Sequence, residues 1–146
     1  MLMSLYRLAD FARYHGRKRS WDPDLATGRR GEDIAHRHLE REGLTVVARN
    51  HRTSSGSGEV DLIAWHGETL VFVEVKTRTS AAYGPPERAI SPEKWHRFLR
   101  AATDYARQAN IPWERVRFDT VGVLLESPPR VEHHADVFSV ASGATL

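Results

Sequence analysis

The run Thr69-Leu70-Val71-Phe72-Val73-Glu74-Val75-Lys76 is dense in β-branched and aromatic side chains and reads as a β-strand. Its alternation gives it two unlike faces. Val71, Val73 and Val75 share one, fully β-branched and expected to be buried; Leu70, Phe72, Glu74 and Lys76 share the other. Glu59 to Trp65 reads as a partner strand, and His66-Gly67 between them is a hairpin signal. With His66-Gly67 as a two-residue turn, Trp65 pairs with Glu68 and Glu59 lies opposite Glu74. Asp61 then falls one diagonal away on the same face. A slip of one residue would send these carboxylates to opposite faces, so the register decides whether they meet.

A second element needs that sheet. Ser91 is placed to cap a helix and Pro92 to occupy its first position, where a missing N–H costs nothing. Trp95, Phe98, Leu99, Ala102, Tyr105 and Ala106 follow as a helical apolar stripe. Residues 28–43 predict an earlier helix, with Ile34, Ala35, His38 and Leu39 on one side and Gly43 as its stop. Leu44 to Arg49 reads as a strand, Ser54 to Gly58 as a loop, and 77–90 as an irregular loop holding Pro85 and Pro86. A further strand is expected over 115–125, stopped by Pro128-Pro129, with a short edge strand over Asp136 to Val140. The order is helix, three strands, helix, one or two strands. That predicts an α/β domain in which a meander is joined through a crossover helix to a parallel fourth strand.

The 146 residues suit one domain. Residues 1–30 carry seven basic and three acidic side chains, so this stretch is +4 while the remaining 116 residues are −2. Residues 1–27 are therefore read as a basic N-terminal extension, partly ordered and solvated or else an arm that touches phosphate, and 28–146 as the single domain. The turn-rich Trp21-Asp22-Pro23-Asp24 marks the break. Cysteine is absent, which excludes disulfides, thiol nucleophiles and Cys-ligated metals and fits a reducing compartment. No secretory signal and no apolar run of about 20 residues is seen, so a soluble cytoplasmic chain without membrane contact is expected. Gly56 and Gly58 are not followed by Lys-Ser or Lys-Thr, so no P-loop is present. His36 and His38, two apart on a helix, do not face each other as zinc ligands, and His133-His134 reads as a solvated turn.

The chemistry concentrates in the hairpin. Clustered carboxylates repel one another unless protonated or bridged by a cation, and an all-oxygen donor set suits Mg²⁺ or Mn²⁺. A lysine two residues beyond a metal carboxylate can orient a water or offset charge building on a phosphate. Glu59, Asp61, Glu74 and Lys76 alone do not separate this reading from a surface hairpin with a cross-strand Glu–Lys pair.

The wider pattern does. Asp61 followed by Glu74-Val75-Lys76 resembles the bipartite D-(x)n-E-x-K motif of restriction-endonuclease-like nucleases. Gly31-Glu32-Asp33-Ile34-Ala35, Arg49-Asn50, Gly58-Glu59-Val60-Asp61-Leu62-Ile63 and Val71-Phe72-Val73-Glu74-Val75-Lys76-Thr77-Arg78 together resemble the small bacterial YraN-type family, itself similar to archaeal Holliday-junction resolvases. The likeness continues through Lys94 and Arg117-Phe118-Asp119 and spans about residues 28–125. It implies a restriction-endonuclease-like mixed sheet flanked by helices, in the order αβββαβ with an extra edge strand. It also implies metal-dependent hydrolysis of phosphodiester bonds in DNA, at branched or single-stranded structures, in repair or recombination. The alternative on the same fold is a non-catalytic nucleic-acid-binding or adaptor module. By the resemblance, Asp61 and Glu74 are ligands of Mg²⁺ or Mn²⁺ and Lys76 is the catalytic lysine. Glu32 matches an extra acidic position, as a metal ligand or as a carboxylate favoured by the helix N-terminus. Arg78 and Lys94 are the candidates for binding phosphate, Glu59 is a weaker carboxylate candidate, and Asp119 is expected to support the sheet. Archaeal resolvases act as dimers, which makes a homodimer an expectation here too.

Overall fold

The computed structural model describes residues 23–79 and 91–137. Its elements run α1 (Pro23–Arg41), β1 (Thr45–Arg52), β2 (Glu59–His66), β3 (Thr69–Arg78), α2 (Pro92–Gln108), a 3-10 turn (Trp113–Arg115), β4 (Val116–Leu124) and β5 (Arg130–His134). The five strands lie side by side in chain order. β1, β2 and β3 form an antiparallel meander, α2 carries the chain across to β4 parallel to β3, and β5 returns antiparallel. This is the α/β layout expected, with a fifth strand at the sheet edge. That edge strand is Arg130–His134 rather than Asp136 to Val140, of which residues 138–140 lie outside the described residues.

Both faces of the sheet are core. On the α1 side, Leu62, Ala64, Val71, Val73, Val121 and Val123 pack with Ala35 and Leu39, and Val75 is partly buried against them. On the α2 side, Leu70, Phe72 and Phe118 pack with Trp95, Phe98, Ala102 and Ala106. The α2 stripe therefore covers the sheet, as its periodicity predicts. Ser91 caps α2 in extended conformation, its Oγ accepting from the Lys94 N–H, with Pro92 at the first helical turn. α1 begins at Pro23, five residues before the expected start, since proline suits a first turn as well as a break. Gly43, at φ +94°, ends it, and the Leu44 N–H reaches back to the Leu39 carbonyl at 3.0 Å.

The hairpin register differs from the expected one. His66 pairs with Thr69, so Gly67-Glu68 makes the turn, with Gly67 at φ +60°. Pairing runs to Leu62 and Val73, so Asp61 and Glu74, not Glu59 and Glu74, are the next residues outward on the two strands. The shift is even and preserves every face, which is why the expected convergence survives it.

The reading of His133-His134 as a solvated turn is overturned. Both lie in β5, and His133 is locked between two carboxylates. Its Nε2 is 2.7 Å from Asp119 Oδ2 and its Nδ1 is 2.6 Å from Glu42 Oε2. Asp119, fully buried in β4, also accepts from Arg117 Nε and Nη2 at 2.9 Å and from the Asp136 N–H at 3.0 Å. It supports the sheet, tying β4 to β5 and to the end of α1.

Candidate active site

The sheet opens where the carboxylates sit. The β1–β2 pairing continues outward to Arg52 and Glu59, and the β3–β4 pairing to Arg78 and Leu124. The pairing between them stops at Leu62 and Val73. β2 thus leaves with β1 and β3 with β4, and Asp61 and Glu74 stand at the fork. The resulting cleft, of about 480 Å³, is lined by Glu32, Asp61, Glu74, Thr77, Arg78 and Lys94 among others.

Glu74 is buried, and the Lys94 Nζ donates to its Oε1 at 3.4 Å. Asp61 Oδ2 accepts the Val75 N–H at 2.8 Å. Burial raises the Asp61 pKa well above the usual carboxylate range, and the neighbouring Glu74 and then Glu32 push it further. Three carboxyl groups thus face one volume, where a proton or a cation offsets their mutual repulsion.

Glu32 reaches the cleft from α1 for identifiable reasons. Gly31 packs directly on Thr77 of β3; a Cβ there would lie 1.8 Å from the Thr77 Oγ1. Asn50, at φ +51° in β1, donates its side-chain N–H to Glu32 Oε2 at 3.0 Å. Asparagine tolerates this left-handed backbone better than most residues. Arg49, largely buried, lies 2.8 Å from Asp33 Oδ1 and 3.6 Å from Glu32 Oε2. Burial raises the Glu32 pKa, and Asn50 and Arg49 partly offset it.

The structure therefore brings Asp61, Glu74, Glu32, Arg78 and Lys94 together. The described residues lining the cleft do not include Lys76, which follows Glu74 two residues along β3. Glu59 does not line the cleft; it pairs across the strands with Arg52 at 3.5 Å, and its charge adds to the rise in the Glu32 pKa. Arg49 and Asn50 have a role that sequence reasoning left unassigned: they hold Glu32. The signal is an Arg-Asn pair directly after the apolar Val46-Val47-Ala48.

Among the described residues, no three acidic or histidine side chains form a ready-made cation cage. Two facing carboxylates still suit Mg²⁺, which commonly takes one or two protein carboxylates and fills its remaining positions with water and substrate phosphate oxygens. Asp61 and Glu74 are the pair that could hold it, with Glu32 facing them. No helix among the described residues is long and apolar enough to cross a membrane.

A family model described as "Uncharacterised protein family UPF0102" matches residues 31–123. A UPF0102 protein of Solibacter usitatus (strain Ellin6076) is 51% identical over 132 residues, covering 90% of this chain and 96% of the relative. One from Rhodococcus opacus (strain B4) is 44% identical over 117 residues, covering 79% and 98%. One from Geobacter sulfurreducens is 41% identical over 116 residues, covering 78% and 89%.

Proposed function

The chain belongs to the uncharacterised protein family UPF0102, and we propose that it is a divalent-metal-dependent nuclease hydrolysing phosphodiester bonds in DNA. The observation that carries this is the fork in the sheet, which presents Asp61 and Glu74 to one cleft beside Arg78 and Lys94. Carboxylates and cations lining one cleft match a phosphodiester brought to a metal: negative groups for the ion, positive groups for the phosphate oxygens.

In this reading Asp61 and Glu74 hold Mg²⁺ or Mn²⁺, which when bound activates water and neutralises charge on the phosphate. Asp61 is fixed by the Val75 N–H and lies against the Glu74 carboxyl, so the two would share the ion. Lys94, whose Nζ donates to Glu74 Oε1 at 3.4 Å, would offer its ammonium to a phosphate brought beside the carboxylates. Arg78 lines the same cleft and draws the phosphate in. Lys76 keeps the Glu-x-Lys spacing and supplies positive charge for the chemical step. Glu32 assists, held by Asn50 and Arg49. Branched or single-stranded DNA, a cytoplasmic setting, a role in repair or recombination and a homodimer complete the reading, all through the resemblance.

The test is an assay of the purified protein on linear duplex, single-stranded and four-way-junction DNA, with Mg²⁺, with Mn²⁺ and with EDTA. Metal-dependent cutting of at least one form is expected. Metal-independent DNA binding with no cutting of any form would replace the nuclease with a binding or adaptor module.

A further inference from the structure

A second depression lies along α2, and no step of the proposed chemistry uses it. It measures about 460 Å³ and runs between the serine-rich β1–β2 connection and the outer face of α2. His96, Arg100, Thr103 and Arg107 line it, at i, i+4, i+7 and i+11, one continuous row on the helix. The row spans about 16 Å at 1.5 Å per residue. Opposite stand the hydroxyls of Thr53, Ser54, Ser55 and Ser57.

The groove is built rather than incidental. Gly58 is buried against α2, where a Cβ would meet the Arg97 carbonyl oxygen at 2.6 Å and the Ala101 nitrogen at 2.9 Å. The Thr53 N–H bonds the Gly58 carbonyl at 3.1 Å, the Gly58 N–H bonds Thr53 Oγ1 at 3.0 Å, and Arg100 Nη1 donates to the Ser57 carbonyl at 3.3 Å. The acidic residue in the groove, Asp104, is engaged: it accepts from Gln108 Nε2 at 3.3 and 3.4 Å and lies 3.4 Å from His51 Nε2. Arg100 and Arg107 are exposed. Beside Leu99, the groove's lining is guanidinium groups facing a bank of hydroxyls, a set that suits phosphate oxygens.

We propose that this groove is a track for the sugar–phosphate backbone of a polynucleotide, holding the strand in a sequence-independent way beyond the point of cleavage. Gly58, which seats the groove's loop on α2, is three residues from Asp61, about 10 Å of strand, so the groove lies one short stretch of chain from the carboxylate fork. Sixteen or so ångströms accommodate several phosphates of one strand at about 3.4 Å of helix axis each. The proposal rests on the nuclease reading for its substrate and narrows that substrate to chains several nucleotides long.

The experiment is fluorescence anisotropy of labelled single-stranded and duplex DNA in EDTA, where nothing is cut, over a series of salt concentrations. The Arg100→Ala/Arg107→Ala protein should bind more weakly. Its slope of log affinity against log salt should shrink by about 1.8 on duplex and about 1.4 on single strands, the loss for two phosphate contacts. Arg100→Lys/Arg107→Lys should keep most of the slope. Arg130→Ala, an exposed charge on β5, should not change it. Arg107→Glu alone, which leaves the Arg100–Ser57 contact in place, should still reduce the slope, so a folding defect in the double variant does not shelter the proposal. An unchanged slope in both variants would overturn the track and leave the nuclease reading standing. Reduced slope in a protein that cuts no DNA form with metal would support the track and remove the nuclease. Wild-type protein that binds no DNA, or a groove whose arginines govern binding of polyglutamate but not of DNA, would overturn it in favour of another partner.

Discussion

Two residues at the fork hold charges that oppose each other. Asp61 is pushed toward protonation by burial, Glu74 and Glu32, while Glu74 is covered by the half-exposed ammonium of Lys94. Because that ion pair is partly solvated, it contributes only about 0.2–1 kcal/mol. Lys94→Ala should therefore leave the fold intact and tighten Mn²⁺ binding by up to about fivefold, since one competitor for Glu74 is gone. Isothermal titration checks this; weaker Mn²⁺ binding would mean that Lys94 positions Glu74 rather than competes for it. Lys76→Ala should retain Mn²⁺ binding and slow single-turnover cleavage by about 10²–10³. An unaltered rate would move the role of the Glu-x-Lys lysine to Lys94, the lysine that the cleft holds.

At the scale of the elements, the close approach of α1 to β3 positions Glu32. Gly31→Ala would drive a methyl into Thr77, so the helix must lift or the strand must bend. Overpacking of this kind costs about 1–3 kcal/mol, and Thr77→Gly should restore most of it. Denaturant midpoints of the single and double variants measure the coupling, and simple additivity would show that the two residues do not touch. The same region shows what could be read from the chain alone. The alternation of Val71, Phe72, Val73 and Glu74 was sufficient to place Glu74 on the side of Phe72, because strand period is local. The position of Asp61 needs the register, and the His66-Gly67 signal puts the turn one residue too early. His66-Gly67 is a good turn pair, but here only Gly67 takes the positive φ and His66 stays in the ladder with Thr69. Asp61 still met Glu74 because the error was even. Asn50 holding Glu32, and His133 bridging β5 to α1, were illegible because both contacts join positions far apart in sequence: 18 residues for Asn50 and Glu32, 91 for His133 and Glu42. A histidine pair after Pro128-Pro129 carries the same local signal whether it is solvated or locked in a strand.

The whole molecule is closed at the far edge of its sheet by the Asp119–His133–Glu42 chain, and its pH response follows from that chain. The hydrogen bond to Asp119 raises the His133 pKa, burial opposes it, and Glu42 adds to the rise. Burial alone would raise Asp119, but His133, Arg117 and the Asp136 N–H outweigh it and hold its carboxyl below the usual range; Glu42 is lowered likewise by His133 and His38. The His133 contribution to stability is complete below about pH 6.5, the value for unfolded histidine, and is lost as pH rises through the higher folded value. The Asp119 and Glu42 contributions are complete above ordinary carboxylate pKa values and are lost as pH falls through their lower folded ones. Thermal stability should therefore peak on the mildly acidic side of neutrality, and His133→Gln should flatten the decline on the alkaline limb. Melting temperatures across pH check this; an identical alkaline limb in the variant would contradict it. Asp119→Ala, which removes the acceptor shared by Arg117, His133 and the Asp136 N–H but leaves His133 on Glu42 and Arg117 on His66, should cost about 1–3 kcal/mol in denaturant unfolding.

The cation at the fork can be observed directly. Electron paramagnetic resonance of Mn²⁺ added to the wild-type, Asp61→Asn and Glu74→Gln proteins reports bound and free ion directly, without DNA or turnover. Wild-type protein should bind Mn²⁺ in competition with Mg²⁺, and either substitution, which keeps shape but removes one negative charge, should abolish or sharply weaken that binding with no loss of melting temperature. Binding that is unchanged in both variants, or absent from the wild type, would contradict the assignment of Asp61 and Glu74 as the pair that holds the ion.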